Sequence, residues 1–275
     1  MNIEPILYES HMHTPLCNHA SGYPEEYAAV AQKRGLKGII VTCHNPTNDG
    51  WSPITRMRLA EFEDYVAMVA QARQTWADQV DVRLGLESDY VPEVEPWLEQ
   101  LHSRAEFHHI LGSVHPTLPD YQNRYLNGDI VAFQRTYFEH LAMAAETGLF
   151  DTLSHPDLVK IVEPSAWKIE RLLDTIRHAL DRIAATGIAM ELNTSGLTKR
   201  LPEMNPGRPI LEEMVQRNIP VVLGADAHTP ERVAANYEEA LDTLIDVGYT
   251  KINIFLNRER QELDIHAARR SLRSV

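Results

Sequence analysis

The sequence predicts an α/β barrel with a metal site at the carboxyl ends of its strands. Short apolar runs alternate along the chain with longer amphipathic segments, which is typical of repeated βα units and a parallel sheet. Histidines and carboxylates directly follow six of the apolar runs. Only a closed or nearly closed barrel brings so many strand ends around one point, so one pattern predicts the barrel and the site together.

The composition favours an enzyme acting on a small molecule. The chain has 275 residues, of which 44% are hydrophobic, and its formal net charge is −13. Proteins that bind nucleic-acid backbones collect Lys and Arg, so this charge argues against a nucleic-acid partner. No stretch approaches the ~18 apolar residues of a membrane span, and the first ten residues lack the features of a signal peptide.

The two cysteines are too few for a disulfide framework. We therefore expect one domain over residues 1–275 in a reducing, cytoplasmic compartment. Neither a membrane nor nucleic acid is an expected partner, and homo-oligomerisation stays open.

Eight apolar runs are predicted as strands. They cover residues 3–8, 37–42, 81–86, 107–114, 149–154, 188–192, 220–223 and 251–256. The first predicted helix begins at Pro24, has acidic residues in its first turn and basic residues in its last, and ends at Gly35. Further helices are predicted over residues 54–78, 93–103, 129–147, 165–186, 210–217 and 230–247. Two proline-containing segments are predicted as irregular loops, residues 116–128 and 197–209.

The strand ends carry the chemistry. His11 and His13 follow the first run, and residues two apart on an extended backbone point to the same side. His19 follows six residues later. Asp226 and His228 repeat the two-apart spacing after the seventh run. The remaining candidates follow the second, third, fourth and fifth runs, and they are His44, Glu87, His115 and His155.

Nine candidate ligands suggest two or three ions bridged by carboxylates, because one ion needs only three or four protein ligands. The nitrogen and oxygen donors suit Zn²⁺, Fe²⁺ or Mn²⁺ better than Mg²⁺ or Ca²⁺. Two ions about 3.5–4 Å apart can hold a shared hydroxide and clamp a substrate oxygen. Such a site hydrolyses phosphate esters or amide-like bonds, and the residues alone do not choose between them.

Other candidates fall outside this pattern. Cys17 and Cys43 lie beside ligands and are predicted to be small buried residues. Six histidines are predicted to be structural or solvated, namely His102, His108, His109, His140, His178 and His266.

Several of these segments resemble motifs of the PHP (polymerase and histidinol phosphatase) superfamily. They are residues 11–14 (HMHT), 42–44 (TCH) and 224–228 (GADAH). Residues 112–115 (GSVH) and 191–197 (ELNTSGL) are similar, more specifically, to its monofunctional histidinol-phosphate phosphatase branch. The resemblance runs from about residue 8 to about residue 255. It implies a distorted (β/α)₇ barrel with a trinuclear metal centre, which leaves the eighth apolar run without a place in the barrel.

The resemblance also implies how the ligands divide. One ion takes His11, His13, Glu87 and Asp226; a second shares Glu87 and takes His115 and His155; the third takes His19, His44 and His228. The implied reaction is hydrolysis of L-histidinol phosphate, a late step of histidine biosynthesis, by a metal-bridging hydroxide. Glu87, Asp226 and His228 are the expected catalytic residues, with His228 or a water of the ligand shell assisting the leaving alkoxide.

Three positions depart from the family pattern. Cys43 stands where the second motif usually has an acidic residue. Thr198 stands where an arginine is frequent, and Lys199 and Arg200 follow it. A further basic position of the family, after the fifth strand, is occupied here by Lys160. We expect Lys160, Lys199 or Arg200 to hold the phosphate, although a lysine lacks the bidentate fork of arginine.

The departures put the substrate in question. The alternatives are another small phosphomonoester, a nucleotide, a cyclic phosphodiester, an amide for an amidohydrolase-like enzyme, or a non-catalytic scaffold role. Acidic loop residues are candidates to meet the amine of histidinol, although solvation is the commoner role of such residues; they are Glu93, Glu95 and Asp120.

Overall fold

The structure is a computed structural model that describes residues 4–273. The predicted beginning of the first strand, at residue 3, lies outside these residues. The strands are β1 (Tyr8–Glu9), β2 (Gly38–Val41), β3 (Asp81–Asp89), β4 (His109–Ser113), β5 (Thr152–Leu153), β6 (Ala189–Asn193), β7 (Val221–Gly224), β8 (Lys251–Leu256) and β9 (Glu259–Asp264). The helices are α1 (Pro24–Arg34), α2 (Phe62–Thr75), α3 (Glu95–His102), α4 (Pro119–Tyr125), α5 (Ile130–Glu146), α6 (Leu173–Thr186), α7 (Arg208–Gln216), α8 (Tyr237–Val247) and α9 (Ile265–Ser271).

The strands pair in chain order, and the first seven close into a barrel. All neighbouring pairs from β1 to β8 are parallel. Just beyond β1 and β7, Met12 and Ala227 form a parallel bridge. The amide of His13 donates to the Ala227 carbonyl at 2.9 Å, and the Ala227 amide donates to the His11 carbonyl at 3.0 Å. The predicted distorted (β/α)₇ barrel is therefore confirmed, and Met12 and Ala227 mark its closing seam.

The eighth apolar run is a strand outside this ring. It pairs with β7 only at Val222 and Asn253, whereas it pairs with β9 in antiparallel register along its whole length. Ile254 of β8 packs against Tyr8 and Ile40, and Phe255 of β8 stacks on His109, the first residue of β4. The hairpin of β8 and β9 thus lies against the end of the barrel that is opposite to the ligands.

Helical periodicity located the core correctly where helices pack on the barrel. In α5 the predicted apolar positions Phe133, Tyr137, Leu141 and Ala144 are all buried. The Asp129 carboxylate caps this helix by accepting hydrogen bonds from the second and third amides beyond it, which satisfies donors that have no partner inside the helix.

Three predicted helices start too early. The helix expected from residue 54 begins at Phe62, after two 3₁₀ turns. Arg56 lies in this stretch with extended backbone, because its buried guanidinium donates to the carbonyls of Ser52 and Asn45. The helix expected from residue 165 begins at Leu173, again after 3₁₀ turns. The helix expected from residue 230 begins at Tyr237, after a left-handed residue.

The structure also contains elements that the sequence did not predict. The loop expected over residues 116–128 includes the short helix α4, whose first residue is Pro119. The hairpin turn at Asn257 and Arg258 uses two left-handed residues and leads into β9. Apart from the half-buried Leu263, the residues of β9 are polar and exposed, so they carry no alternating apolar pattern from which a strand could be predicted.

Candidate metal centre

Glu87 is the centre of a cluster of imidazoles at the carboxyl end of the barrel. Glu87 is fully buried, and its two carboxylate oxygens lie 2.7–3.6 Å from ring nitrogens of five histidines. They are His11, His13, His44, His115 and His155. These side chains come from the ends of five successive strands, β1 to β5, so the closed barrel is what brings them together.

The remaining predicted ligands complete the cluster. Asp226 Oδ1 lies 3.1 Å from His13 Nε2 and 3.6 Å from His11 Nε2. His19 and His228 approach each other with their Nε2 atoms 3.0 Å apart, and both lie close enough to His44 for a shared ion. The structure thus brings together all nine residues that the sequence singled out.

Backbone strain is concentrated at two of these positions. His155 has a φ of 28° and Asp226 has a φ of 49°. Residues other than glycine seldom adopt a backbone conformation with positive φ. His155 and Asp226 are each the second residue beyond the end of a strand, where their side chains lie in the cluster. Strain of this kind is kept where the surrounding structure holds it in place, and it is frequent at functional sites.

The donor atoms of the cluster fit divalent metal ions. His11 Nε2 is buried without a hydrogen-bond partner among the described residues, and the buried atoms His44 Nδ1 and Glu87 Oε2, although 2.7 Å apart, are not aligned for a hydrogen bond. An unpaired buried polar atom costs about 1–3 kcal/mol, and coordination would satisfy all three. Imidazole nitrogens with carboxylate oxygens match the preferences of Zn²⁺, Fe²⁺ and Mn²⁺. His, Asp and Glu groups close enough to hold an ion recur throughout the cluster.

Neighbouring acceptors fix the orientation of four imidazoles through their Nδ1 atoms. His11 Nδ1 lies 2.8 Å from Glu191 Oε1, and His115 Nδ1 lies 2.8 Å from Asp89 Oδ1. Backbone carbonyls take this role for two others, at 2.7 Å for His19 and 3.0 Å for His228. An acceptor at Nδ1 turns Nε2 toward an ion, which is the usual support of metal-binding histidines.

The sequence reasoning missed Glu191 and Asp89. Glu191 is buried within β6, and Asp89 ends β3 two residues after Glu87. A carboxylate inside an otherwise apolar strand was the available signal, because burial of a charge requires a partner.

The carboxylates of the cluster raise the pKa of two of its imidazoles, and the imidazoles lower the pKa of Glu87. Burial by itself lowers the pKa of His13, but its hydrogen bond with Asp226 and the charge of Glu87 outweigh burial and raise this pKa to about 9. Burial likewise opposes a charge on His115, yet Asp89 and Glu87 raise its pKa to about 10. Burial favours a neutral Glu87, but the surrounding histidines hold its pKa well below the usual range.

A cavity of about 340 Å³ opens onto the cluster. Its lining combines residues of the cluster with three apolar side chains, Leu118, Leu158 and Ile161. Lys199 lines the cavity with its Nζ 3.8 Å from Asp226 Oδ2. Arg200 is exposed and is not among the lining residues; its guanidinium reaches the carbonyl of Val162. Of the three predicted phosphate-binding residues, Lys199 alone faces the cavity.

The ammonium group of Lys160 forms hydrogen bonds within the protein, and these contacts contradict the expectation that it holds a phosphate. It is fully buried, and its Nζ donates to Asp157 Oδ2 at 2.9 Å, Glu203 Oε2 at 2.8 Å and the Met204 carbonyl at 2.7 Å. An ammonium group has three N–H donors, so none is left for a ligand.

The acidic loop residues do not line the cavity either. Glu95 accepts a hydrogen bond from the Tyr90 hydroxyl, Glu93 pairs with Arg124, and Asp120 accepts from the Ser52 amide. The expectation that these carboxylates meet a substrate amine is therefore not supported.

Arg56 is a cavity residue that the sequence reasoning missed. It is buried and lines the cavity, and its guanidinium pairs with the carboxylate of Asp89, which in turn contacts His115. Its place in a segment with helical periodicity gave no signal of this role.

Comparison with known proteins assigns the chain to a family. The profile of the PHP domain matches residues 9–195. The chain belongs to the PHP family. A protein of Deinococcus radiodurans named "Probable histidinol-phosphatase" is 35% identical over 264 residues, which are 93% of this chain and 98% of that protein. The histidinol-phosphatase of Bacillus subtilis is 26% identical over 85% of this chain and 98% of that protein.

A solved structure agrees with the PHP assignment. The histidinol phosphate phosphatase of Lactococcus lactis, complexed with zinc, L-histidinol and phosphate, matches with a TM-score of 0.78. The two chains are 18% identical, and the match covers 92% of this chain and 98% of that one. The predicted resemblance and PHP fold are thus confirmed. No helix within residues 4–273 combines the length and apolar character that a membrane crossing needs.

The departures from the PHP pattern lie next to the site. Thr198 is exposed, and its hydroxyl donates to the Ser195 carbonyl at 2.9 Å. The basic charge at the cavity comes instead from the following residue, Lys199. Cys43 is buried beside the ligands, as is Cys17, and both were predicted to be small buried residues.

Proposed function

We propose that this PHP protein is a metal-dependent phosphomonoesterase that hydrolyses L-histidinol phosphate to L-histidinol and phosphate. The observation that carries the proposal is a buried carboxylate, Glu87, with five imidazoles around it below an open cavity. Full-length similarity to proteins named histidinol-phosphatase supports the substrate. The Lactococcus lactis protein, which shares the fold, binds zinc, L-histidinol and phosphate.

The proposed cofactors are two or three divalent ions of zinc, iron or manganese. Glu87 and Asp226 would each contact more than one ion, because each lies near several imidazoles. The three predicted ligand groups are retained: His11, His13, Glu87 and Asp226; Glu87, His115 and His155; His19, His44 and His228. When bound, such ions lower the pKa of water and neutralise the oxygens of a phosphoryl group.

Lys199 and Ser195 prepare the site for a phosphate. The Lys199 ammonium lies at the cavity wall near Asp226, where it would donate charge-assisted hydrogen bonds to phosphate oxygens. Ser195 Oγ donates to Asp226 Oδ2 at 3.0 Å. This hydrogen bond holds one carboxylate oxygen in place and leaves Oδ1 facing the imidazoles of His11 and His13.

His228 is better suited to metal binding than to proton donation. Burial and the charge on His13 lower its pKa to about 2, so its imidazole is neutral at physiological pH. Its Nδ1 faces the Asp226 carbonyl at 3.0 Å, which leaves Nε2 as the nitrogen that would ligate. We therefore retain His228 as a ligand and assign the proton of the leaving alkoxide to water in the cavity.

The apolar wall of the cavity suits the organic part of the substrate. Leu118, Leu158 and Ile161 line the cavity together with Lys199 and residues of the imidazole cluster. A flat ring carried on a short chain, as in histidinol phosphate, would lie along this wall while its phosphate meets the cluster. Such pockets commonly pair apolar lining with a few polar groups that fix the orientation of the ligand.

Phosphate release and metal content, measured on one preparation, test the proposal. The panel contains L-histidinol phosphate, other phosphomonoesters, nucleotides, cyclic phosphodiesters and amides. We expect a clear preference for L-histidinol phosphate with two or three ions per chain. Glu87→Gln should abolish hydrolysis and reduce metal content, whereas the exposed control Glu259→Gln should match the wild type. A metal-loaded enzyme that prefers another ester would overturn the substrate, and hydrolysis retained in Glu87→Gln would overturn the mechanism.

A further inference from the structure

A second buried carboxylate lies near the cluster, and it faces backbone amides rather than imidazoles. Glu9, the last residue of β1, is fully buried. Its Oε1 accepts hydrogen bonds from the amides of His11 and Ala225, both at 3.0 Å. Its Oε2 accepts a hydrogen bond from the amide of Ala234 at 2.8 Å. Both oxygens of Glu9 are thus engaged by the backbone, which distinguishes this residue from the predicted ligand Glu87.

The three amides belong to segments on both sides of the closing seam. The His11 amide lies just beyond β1, and the Ala225 amide lies between the end of β7 and Asp226. Ala234 precedes α8 with a φ of 52°. Burial of a carboxylate is costly unless it is hydrogen-bonded, and hydrogen bonds to a charged acceptor are stronger than those to a neutral one. The Glu9 carboxylate therefore fastens these three segments to one another.

The seam leaves little space at this point. Gly224 directly precedes Ala225, and a Cβ added to Gly224 would lie 2.8 Å from the Cβ of His11. The end of β7 thus packs directly against the side chain of His11. Asp226 Oδ1, two residues beyond Gly224, lies 3.6 Å from His11 Nε2. A displacement of the Ala225 amide relative to the His11 amide would therefore change the distance between the two ligands.

We propose that Glu9 is a positioning residue, which sets the separation of His11 and Asp226 by holding the amides of His11 and Ala225 on one oxygen. The inference rests on the proposed metal centre. Glu9 acts on the backbone that carries the ligands, whereas Glu191 contacts the imidazole of His11 itself. The two carboxylates thus have different tasks: Glu191 orients a ring, and Glu9 sets the spacing of two ligands from opposite sides of the seam.

This role predicts a loss at one ion. The first proposed ion takes His11 and Asp226, whose separation Glu9 sets, whereas the ligands His115 and His155 follow β4 and β5, across the barrel from the seam. Glu9→Gln keeps the size of the side chain, but its amide nitrogen cannot accept a hydrogen bond. Loss of a group that supports metal ligands typically costs about 10–100-fold in affinity. We expect Glu9→Gln to bind one zinc ion per chain about 10–100-fold more weakly and to retain the ion of His115 and His155.

The measurement is a zinc titration in competition with a chromophoric chelator, on proteins first stripped of metal. The absorption spectrum of the cobalt-loaded proteins reports on ligand geometry, and the metal-free melting temperature reports on the fold. Asp151→Asn is the matched control, because Asp151 is also buried, accepts the Ile110 amide at 2.8 Å and pairs with Arg258, but precedes β5 at the other end of the barrel. We expect this control to lower the melting temperature and to keep the zinc affinity and cobalt spectrum of the wild type.

A purely structural role for Glu9 gives a different result. It predicts a lower melting temperature in Glu9→Gln with the zinc affinity and cobalt spectrum of the wild type, and this outcome would overturn the inference. Equal losses of zinc affinity in Glu9→Gln and Asp151→Asn would overturn it as well. If Glu9→Gln does not fold, Glu9→Asp takes its place, since it keeps the charge and shortens the side chain by one methylene; the same selective loss is expected.

The same titration separates this inference from the proposed function. Wild-type protein that binds no zinc, iron or manganese would refute the metal centre itself. Wild-type protein that binds zinc while Glu9→Gln binds it equally well, with the same cobalt spectrum, would refute only the role of Glu9.

Discussion

Replacing Lys160 by methionine distinguishes a structural cation from a phosphate ligand. The side chain is fully buried, and its three N–H groups donate to Asp157, Glu203 and the Met204 carbonyl. Lys160→Met keeps most of the aliphatic chain and removes the charge. The change leaves Asp157 buried without its cationic partner, whereas the half-exposed Glu203 can turn to water.

The expected cost follows from the partners that remain. Removing one member of a buried ion pair typically costs 3–5 kcal/mol. Asp157 keeps two donors, the Asn205 amide group at 2.6 Å and the Gly207 amide at 2.9 Å, so we expect the lower end of this range, about 3 kcal/mol. Glu203 and Met204, which lose their hydrogen bonds from Lys160, lie a few residues after Lys199. We therefore expect the part of the cavity wall around Lys199 to become less ordered in this variant as well.

The assay is urea unfolding of the metal-free proteins, combined with KM and kcat for L-histidinol phosphate. Lys199→Met is the matched control, since Lys199 lines the cavity and its side chain is about one-third exposed. We expect it to raise KM with little loss of stability, the reverse of Lys160→Met. Wild-type stability in Lys160→Met, together with a large increase in KM, would refute the structural role and restore Lys160 as a phosphate ligand.

Two further predictions concern metal loading. Glu191→Gln removes the carboxylate beside His11 Nδ1, so zinc affinity should fall about 10–100-fold in a chelator competition; an unchanged affinity would contradict the supporting role. Zinc binding near pH 7.5 should release about three protons, from His11, His13 and His115. In the metal-free protein the neighbouring carboxylates hold the pKa of His11 well above its usual value and raise the pKa values of His13 and His115 to about 9 and 10. Because these pKa values are raised, the contribution of His13 and His115 to metal-free stability is fully present below about pH 6.5 and is lost as the pH rises through 9 and 10. Calorimetric titration in buffers of different ionisation enthalpy measures the protons, and release of none would contradict the assignment.

The sequence predicted the barrel and the cluster well because both depend on the same local pattern. A strand buried on both faces reads as a continuous apolar run, and a ligand directly after it is placed by the direction of the strand. Glu87 illustrates this, since its position near the carboxyl end of β3 brings it among histidines from four other strands.

What the sequence did not predict depends on contacts between distant residues. The role of Lys160 follows from Glu203, which is 43 residues away, and no local pattern links the two. Arg56 interrupts a segment of helical periodicity because its guanidinium finds partners in other loops. The β9 strand is exposed and polar, so it is held by its pairing with β8 rather than by an apolar face of its own.

The closing seam of the barrel would couple binding of the proposed metal ions to closure of the chain. Met12 lies between His11 and His13, and Ala227 lies between Asp226 and His228, so four ligands flank a single backbone bridge. His13 and Asp226 are 213 residues apart in the sequence, and ions held between them would act as a removable cross-link across almost the whole chain. A ribosome must therefore have released nearly the entire protein before the site exists. Chelators should accordingly open the barrel first at this seam, where amide hydrogen exchange of Ala227 would report it.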